Sequence, residues 1–267
     1  MRRLILFAAI AASLFAQPVA VQQTEGEVRG FLVLRADDGT VVANGDSMQT
    51  TKSGQVTTRL TFHFQDGSLQ EETTVFTQNG HFRVLSDRLV QKGPTFPRQL
   101  DMTVNGVSGQ VTVTYAGQKG EPKTETTHLD IPPDLANGIV PVLLKNLPSG
   151  DTALTVPMVV ASPKPMLVKL QIHADGTDKF TTGTTSREAT RYDVHVDIGG
   201  VKGAIADVLG KNPPDTYVWI LGGECPAFLK SNGPSFAGGP IWRTELVSPV
   251  WPASAGAATR SKRDPMP

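Results

Sequence analysis

The sequence predicts a mainly β fold: a curved antiparallel sheet, or a partly closed barrel or sandwich, with one main helix packed on it. Three observations carry this expectation. Many segments alternate apolar and polar residues with a period of two. Gly paired with Asn or Asp punctuates them at turn spacing. Only Leu135–Leu147 places apolar residues at helical intervals. No alternation of strands with long helices is present, which argues against a doubly wound parallel sheet.

Residues 17–53 are polar and rich in Gly and Asp, and read as a lead-in with one short strand near Gly30–Leu34. From Val56 the alternation strengthens, with Leu60, Phe62 and Phe64 on one side and Thr61, His63 and Gln65 on the other. Asp66-Gly67 marks a turn, and Asn79-Gly80 joins strands over Glu72–Thr77 and His81–Val90. Leu100, Met102 and Val104 then alternate with Asp101 and Thr103. Asn105-Gly106 reads as a two-residue turn that pairs Val104 with Val107, so Val111, Val113 and Tyr115 return on the same face.

Thr124–Ile131 reads as a further strand. After Pro132-Pro133, the residues Leu135, Ile139, Leu143 and Leu147 recur at helical spacing, while Gly138 and Pro141 predict a kinked or late-starting helix. Strands resume at Met166–Ala174, ending in an Asp175-Gly176 turn, and at Phe180–Thr185. Tyr192, Val194, Val196 and Ile198 alternate strictly with Arg191, Asp193, His195 and Asp197 before Gly199-Gly200. Ala204–Leu209 suits one short helical turn. Thr216–Leu221 and Ile241–Val247 read as strands flanking a Gly/Pro-rich loop from Gly222 to Pro240. The expectation is roughly ten strands in a β-rich domain over 54–251, alternatively divided into halves 54–150 and 151–251, with a disordered tail over 252–267.

The amino terminus has an address of its own. Met1-Arg2-Arg3 is followed by apolar or small residues from Leu4 to Ala16, interrupted only by Ser13. This is the pattern of a secretory signal peptide over residues 1–16, shorter than the ~20 residues of a membrane-spanning helix. The expectation is an exported protein, periplasmic or secreted, with no transmembrane span in the mature chain.

Lys+Arg and Asp+Glu are each 25, and this balance gives no basic footprint for nucleic acid. One cysteine, Cys225, excludes an internal disulfide or a Cys-based zinc site, and reads as a small buried hydrophobe. No G-x-S-x-G, H-E-x-x-H or phosphate-loop motif occurs. Glycines 199, 200 and 203 read as a plain turn. Neither a cofactor nor a metal is expected.

Asp193, His195 and Asp197 share one strand face and form the one acid–base set worth weighing, against the simpler reading of a solvated face. No catalytic residue is assigned. Trp219, Phe228, Phe236 and Trp242 cluster late in the chain among Gly and Pro, and are the candidate ligand-binding residues.

The signal segment Met1–Ala16, the hairpin Leu100–Tyr115 and the helix-like Leu135–Leu147 between two runs of strands resemble the lipoprotein-carrier-like, half-barrel group of exported bacterial proteins. The likeness is to an uncharacterised family of that architecture rather than to the carrier itself. It implies a curved sheet embracing a helix, with room for an acyl chain. The leading expectation is therefore an exported, non-enzymatic protein binding a lipid or another apolar or amphipathic ligand. The alternatives are an envelope structural or interaction protein with an unknown protein partner, and a hydrolase using Asp193, His195 and Asp197.

Overall fold

The computed structural model describes residues 18–117, 120–148, 150, 153–182, 184–198 and 213–247. The signal segment 1–16, glycines 199, 200 and 203, the helical turn expected at Ala204–Leu209 and the tail 252–267 lie outside the described residues.

The first half of the chain meanders through β1 (Val28–Arg35), β2 (Val41–Lys52), β3 (Gln55–Phe64), β4 (Leu69–Asn79), β5 (His81–Lys92), β6 (Leu100–Asn105), β7 (Gln110–Ala116) and β8 (Pro122–His128). A covering segment with one short helix, α1 (Val140–Lys145), follows. The second half runs through β9 (Ala153–Val160), β10 (Met166–Thr182), β11 (Thr185–Asp197), β12 (Thr216–Leu221), β13 (Ala227–Pro234) and β14 (Ile241–Val247). All fourteen strands form one antiparallel sheet in the order β8-β7-β6-β5-β4-β3-β2-β1-β14-β13-β12-β11-β10-β9. The two halves meet at its middle, where β1 pairs with β14 from Phe31↔Val247 to Arg35↔Arg243.

Fourteen strands laid flat at ~4.8 Å spacing would set the two edges about 60 Å apart. Yet Val111 and Val113 of β7 share one buried cluster with Leu154, Val156 and Val159 of β9, at the opposite edge. Leu135, Ala136, Ile139, Leu143 and Leu144 of the covering segment belong to that cluster too. The sheet is therefore curled around residues 129–147, and it is not closed, because β8 and β9 remain its edges. Each edge strand carries a proline, Pro122 and Pro157, where a missing ladder N–H is tolerated.

The covering segment is held by hydrogen bonds as well as by its apolar side. Asn137 pairs with the β9 backbone: its Nδ2 donates to the Val159 carbonyl at 3.0 Å and its Oδ1 accepts from the Val159 N–H at 2.8 Å. At the far end, Asn146 Oδ1 accepts the N–H groups of Gln22 and Gln23 at 2.8 and 2.6 Å. The helix starts late, as Pro141 in its first turn requires. Gly138 precedes it at φ +65°, and a Cβ there would lie 1.8 Å from Thr74 Oγ1.

Four sequence expectations need correction. The lead-in 17–53 is not loose: it supplies β1 and β2, the two central strands. Apart from Val28, Leu32 and Leu34, its inward residues are small or polar, so the apolar alternation is faint. Asp175-Gly176 is not a turn but a bulge inside the 17-residue β10, whose register to β11 shifts between Ala174 and Thr177. The Gly222–Pro240 stretch contains β13, paired on both sides, so its mixed polarity is compensated by backbone hydrogen bonds. Asn105-Gly106 does not make a two-residue turn: Val104 pairs with Val111, and Val107 stands exposed at the tip. That register differs from the expected one by an even number of residues, so Val104, Val111 and Val113 still share the inward face.

Two substitutions test this account by thermal or urea unfolding. Leu143→Ala removes a buried side chain from the covering segment and is expected to cost about 2–5 kcal/mol. Gly138→Ala is expected to cost at least about 2 kcal/mol, because it adds a left-handed backbone penalty to the collision with Thr74. Wild-type stability in either variant would refute the role given to this segment.

Candidate functional site

The inward face of the sheet is not filled everywhere. A cavity of about 380 Å³ lies under α1, and one of about 350 Å³ lies on its other side. Glu72, Pro141, Phe228 and Ser231 line both, so the two spaces adjoin. Their walls are mostly apolar, and their sizes fall within the ~300–1,000 Å³ of small-molecule sites. Leu32, Leu60, Phe62 and Leu246 wall the first cavity, while Gly30, Ser47, Thr58, Ser231 and Thr244 form its floor. The space exists because these floor residues are small. A Cβ on Gly30 would meet only Leu246 Cδ2 within 4 Å, at 3.2 Å.

Two carboxyl groups stand on this inward face. Phe76 pairs with Val84, but Val75 pairs with Ser86, so Leu85 is an extra residue in β5. The bulge switches the inward set from Phe82 and Val84 to Asp87, Leu89 and Gln91. Asp87 then sits opposite Thr74, and diagonally next to Glu72 on the same face. The Thr74 hydroxyl donates to Asp87 Oδ1 at 2.7 Å, while Asp87 Oδ2 is buried with no hydrogen-bond partner. Glu72 is half-buried, and the surface it keeps faces the cavities.

Burial pushes the Glu72 carboxyl up to about 8, and the Asp87 charge adds to the rise. Burial also raises Asp87, to about 6, while the Thr74 hydroxyl and Asn137 amide pull it back down. At the other end of the first cavity, Lys145 Nζ lies 2.5 Å from Glu25 Oε1, and Gln49 Nε2 donates to Glu25 Oε2 at 2.9 Å. Among the described residues, Lys145 is the one cation lining the two cavities, and it is paired with Glu25.

The four expected ligand-binding aromatics do not form one group. Phe228 lines both cavities. Phe236 also lines the second, but it packs against Trp242 at 5.8 Å between ring centroids and against Phe96 at 5.2 Å. Phe64 completes this aromatic plug, 5.5 Å from Trp242 and 5.4 Å from Phe96. Trp219 faces the other way, since its neighbours Val218 and Ile220 are the ones in the inward core. Its Nε1 donates to Asp178 Oδ2 at 2.6 Å, and Lys230 Nζ lies 4.3 Å from its ring.

Asp193, His195 and Asp197 lie on the outward face too. His195 Nδ1 is 2.7 Å from Asp215 Oδ1, and Gln171 Nε2 donates to Asp197 Oδ2 at 3.0 Å. Burial raises the Asp193 pKa, with the charges of Asp215 and Asp175 adding to it. None of the three lines either cavity, and no cluster able to hold a metal ion is found among the described residues. Cys225, expected to be buried, is exposed between β12 and β13.

Sequence reasoning missed Glu72 and Asp87. The available signal was the break in alternation at Leu85-Ser86, which moves Asp87 to the inward side. Among the described residues no helix is long and apolar enough to cross a membrane. No family model, curated protein or solved structure matches the chain.

The carboxyl pair makes a pH prediction. Both groups have raised pKa values, so the native state favours their protonated forms. Their stabilising contribution is complete below about pH 4, and is lost as pH rises through about 6 for Asp87 and about 8 for Glu72. The advantage of Asp87→Asn over wild type should therefore build up between about pH 4 and 6 and stay level above, and that of Glu72→Gln should build up between about pH 4.5 and 8. Parallel stability–pH curves for wild type and both variants would contradict this assignment.

Proposed function

We propose that the protein is an exported, non-enzymatic binding protein, periplasmic or secreted, that takes up an apolar or amphipathic ligand between α1 and the inward sheet face. The observation that carries this reading is the pair of adjoining apolar cavities, floored by Gly30, Ser47, Thr58 and Ser231. Filling that floor with larger residues would have stabilised the core. A chain that leaves it open gives up stability where a ligand would restore contacts. The resemblance to half-barrel carriers adds an architectural analogy.

The hydrolase alternative loses its motive, because Asp193, His195 and Asp197 occupy an outward face beside no cavity described here. Uptake of dodecanol, read by native mass spectrometry and by displacement of a neutral naphthylamine dye, tests the binding reading. Ser231→Phe places a ring in both cavities and should reduce uptake at least about tenfold while the fold is retained. Undiminished uptake, or none by the wild-type protein, would reject this site. Export is tested separately by the intact mass of protein recovered outside the cytoplasm. Loss of residues 1–16 supports it, and a full-length product confined to the cytoplasm overturns it.

A further inference from the structure

We infer that the ligand is an aliphatic chain with a basic nitrogen head, an alkyl ammonium, whose head is held by Glu72 in the cavity wall, with the buried carboxyl of Asp87 behind it adding attraction without contact. This inference rests on the binding reading above and specifies the chemistry of the same site.

The argument starts from charge balance in an apolar space. Glu72 lines both cavities at their junction, and no described residue is hydrogen-bonded to its carboxyl. Asp87, fully buried behind Thr74, has one oxygen engaged by the Thr74 hydroxyl and the other with no partner. An uncompensated buried carboxylate is costly, and proteins ordinarily pair it with a cation. Here the one cation among the described residues that line these cavities is Lys145, and it is engaged by Glu25. Among the described residues, the acid pair therefore has no positive partner.

An ammonium supplies it. Its donors suit the unengaged Glu72 carboxyl, and a charge-assisted bond of this kind gains strength away from water, while Asp87 acts on it only through its charge. Its alkyl chain would run from Glu72 along Leu60, Phe62 and Leu246 in the first cavity, or toward Met102 and Val194 in the second. A fatty acid meets the opposite situation: its carboxylate would face Glu72, with no unpaired cation among the described residues lining the cavities. Gly138 matters here as well. Its missing Cβ lets the covering segment close onto Thr74 and Asp87, which would keep the head region dry.

The experiment compares dodecylamine, dodecanol and dodecanoate at pH 8, below their micelle-forming concentrations, by displacement of the same dye. Dodecylamine should bind at least about tenfold more tightly than dodecanoate. Glu72→Gln should remove most of that preference, read as the ratio of dodecylamine to dodecanol affinity within the same variant, so that dodecanol reports whether the cavity still binds. Asp87→Asn should weaken dodecylamine in the same direction, and decides the matter if Glu72→Gln does not fold. Equal or tighter binding of dodecanoate, or an amine preference untouched by either variant, overturns this inference and leaves the binding reading standing. Failure of all three probes to bind wild-type protein overturns both.

Discussion

The structure depends on covering the inward face of a sheet that does not close. An open fourteen-stranded sheet exposes one broad apolar surface, and residues 129–147 are what this chain places over it. Their contribution is topological as well as energetic. They carry the chain from β8, at one edge, to β9, at the other, and so must cross the concavity. Leu135, Ile139, Leu143 and Leu144 pack against strands from both halves, and Asn137 and Asn146 tie the crossing to β9 and to the segment before β1. Burial of this kind is non-directional, so the asparagines supply the direction that apolar contacts lack.

The same crossing explains the cavities. A six-residue helix is too short to fill so broad a concavity, and the central strands do not compensate with large side chains. The ends of the structure are packed differently. Val104, Val111, Met102 and Ile172 close one region tightly, and Phe64, Phe96, Phe236 and Trp242 plug another. Between them the sheet presents Gly30, Ser47 and Ser231, together with two carboxyls that have no cation partner among the described residues. Polarity and emptiness thus coincide at one place in the concavity.

Legibility in the sequence followed packing density. Strands whose inward residues meet a filled core alternate plainly: Leu100–Tyr115 and Tyr192–Val196 were readable because their inward residues are apolar and buried, or, at Tyr115 and Val196, partly buried against the core. β2 was not readable because its inward row is Ala43, Gly45, Ser47 and Gln49, a row suited to facing a cavity. β13 was hidden for a related reason: Lys230 faces Trp219 outward, while Ser231 faces the cavity inward. The late aromatics were visible as a cluster, but their separation was not. Trp219 differs from Phe228 in facing because side chains on neighbouring strands take their side from register, which a bulge between Trp219 and Ile220 shifts.

By itself the sequence determined the class: antiparallel strands from period-two patterns, and one late-starting helix from apolar spacing broken by Gly138 and Pro141. Those properties are local, set by side-chain alternation and backbone preference within a few residues. The tertiary structure alone decided the closing pair β1–β14, the curl that brings β7 and β9 into one core, and the inward placement of Asp87 opposite Thr74. Each of these joins residues far apart in the chain or turns on a single-residue bulge. Each therefore depends on which surfaces must be buried together, a quantity that no local pattern carries.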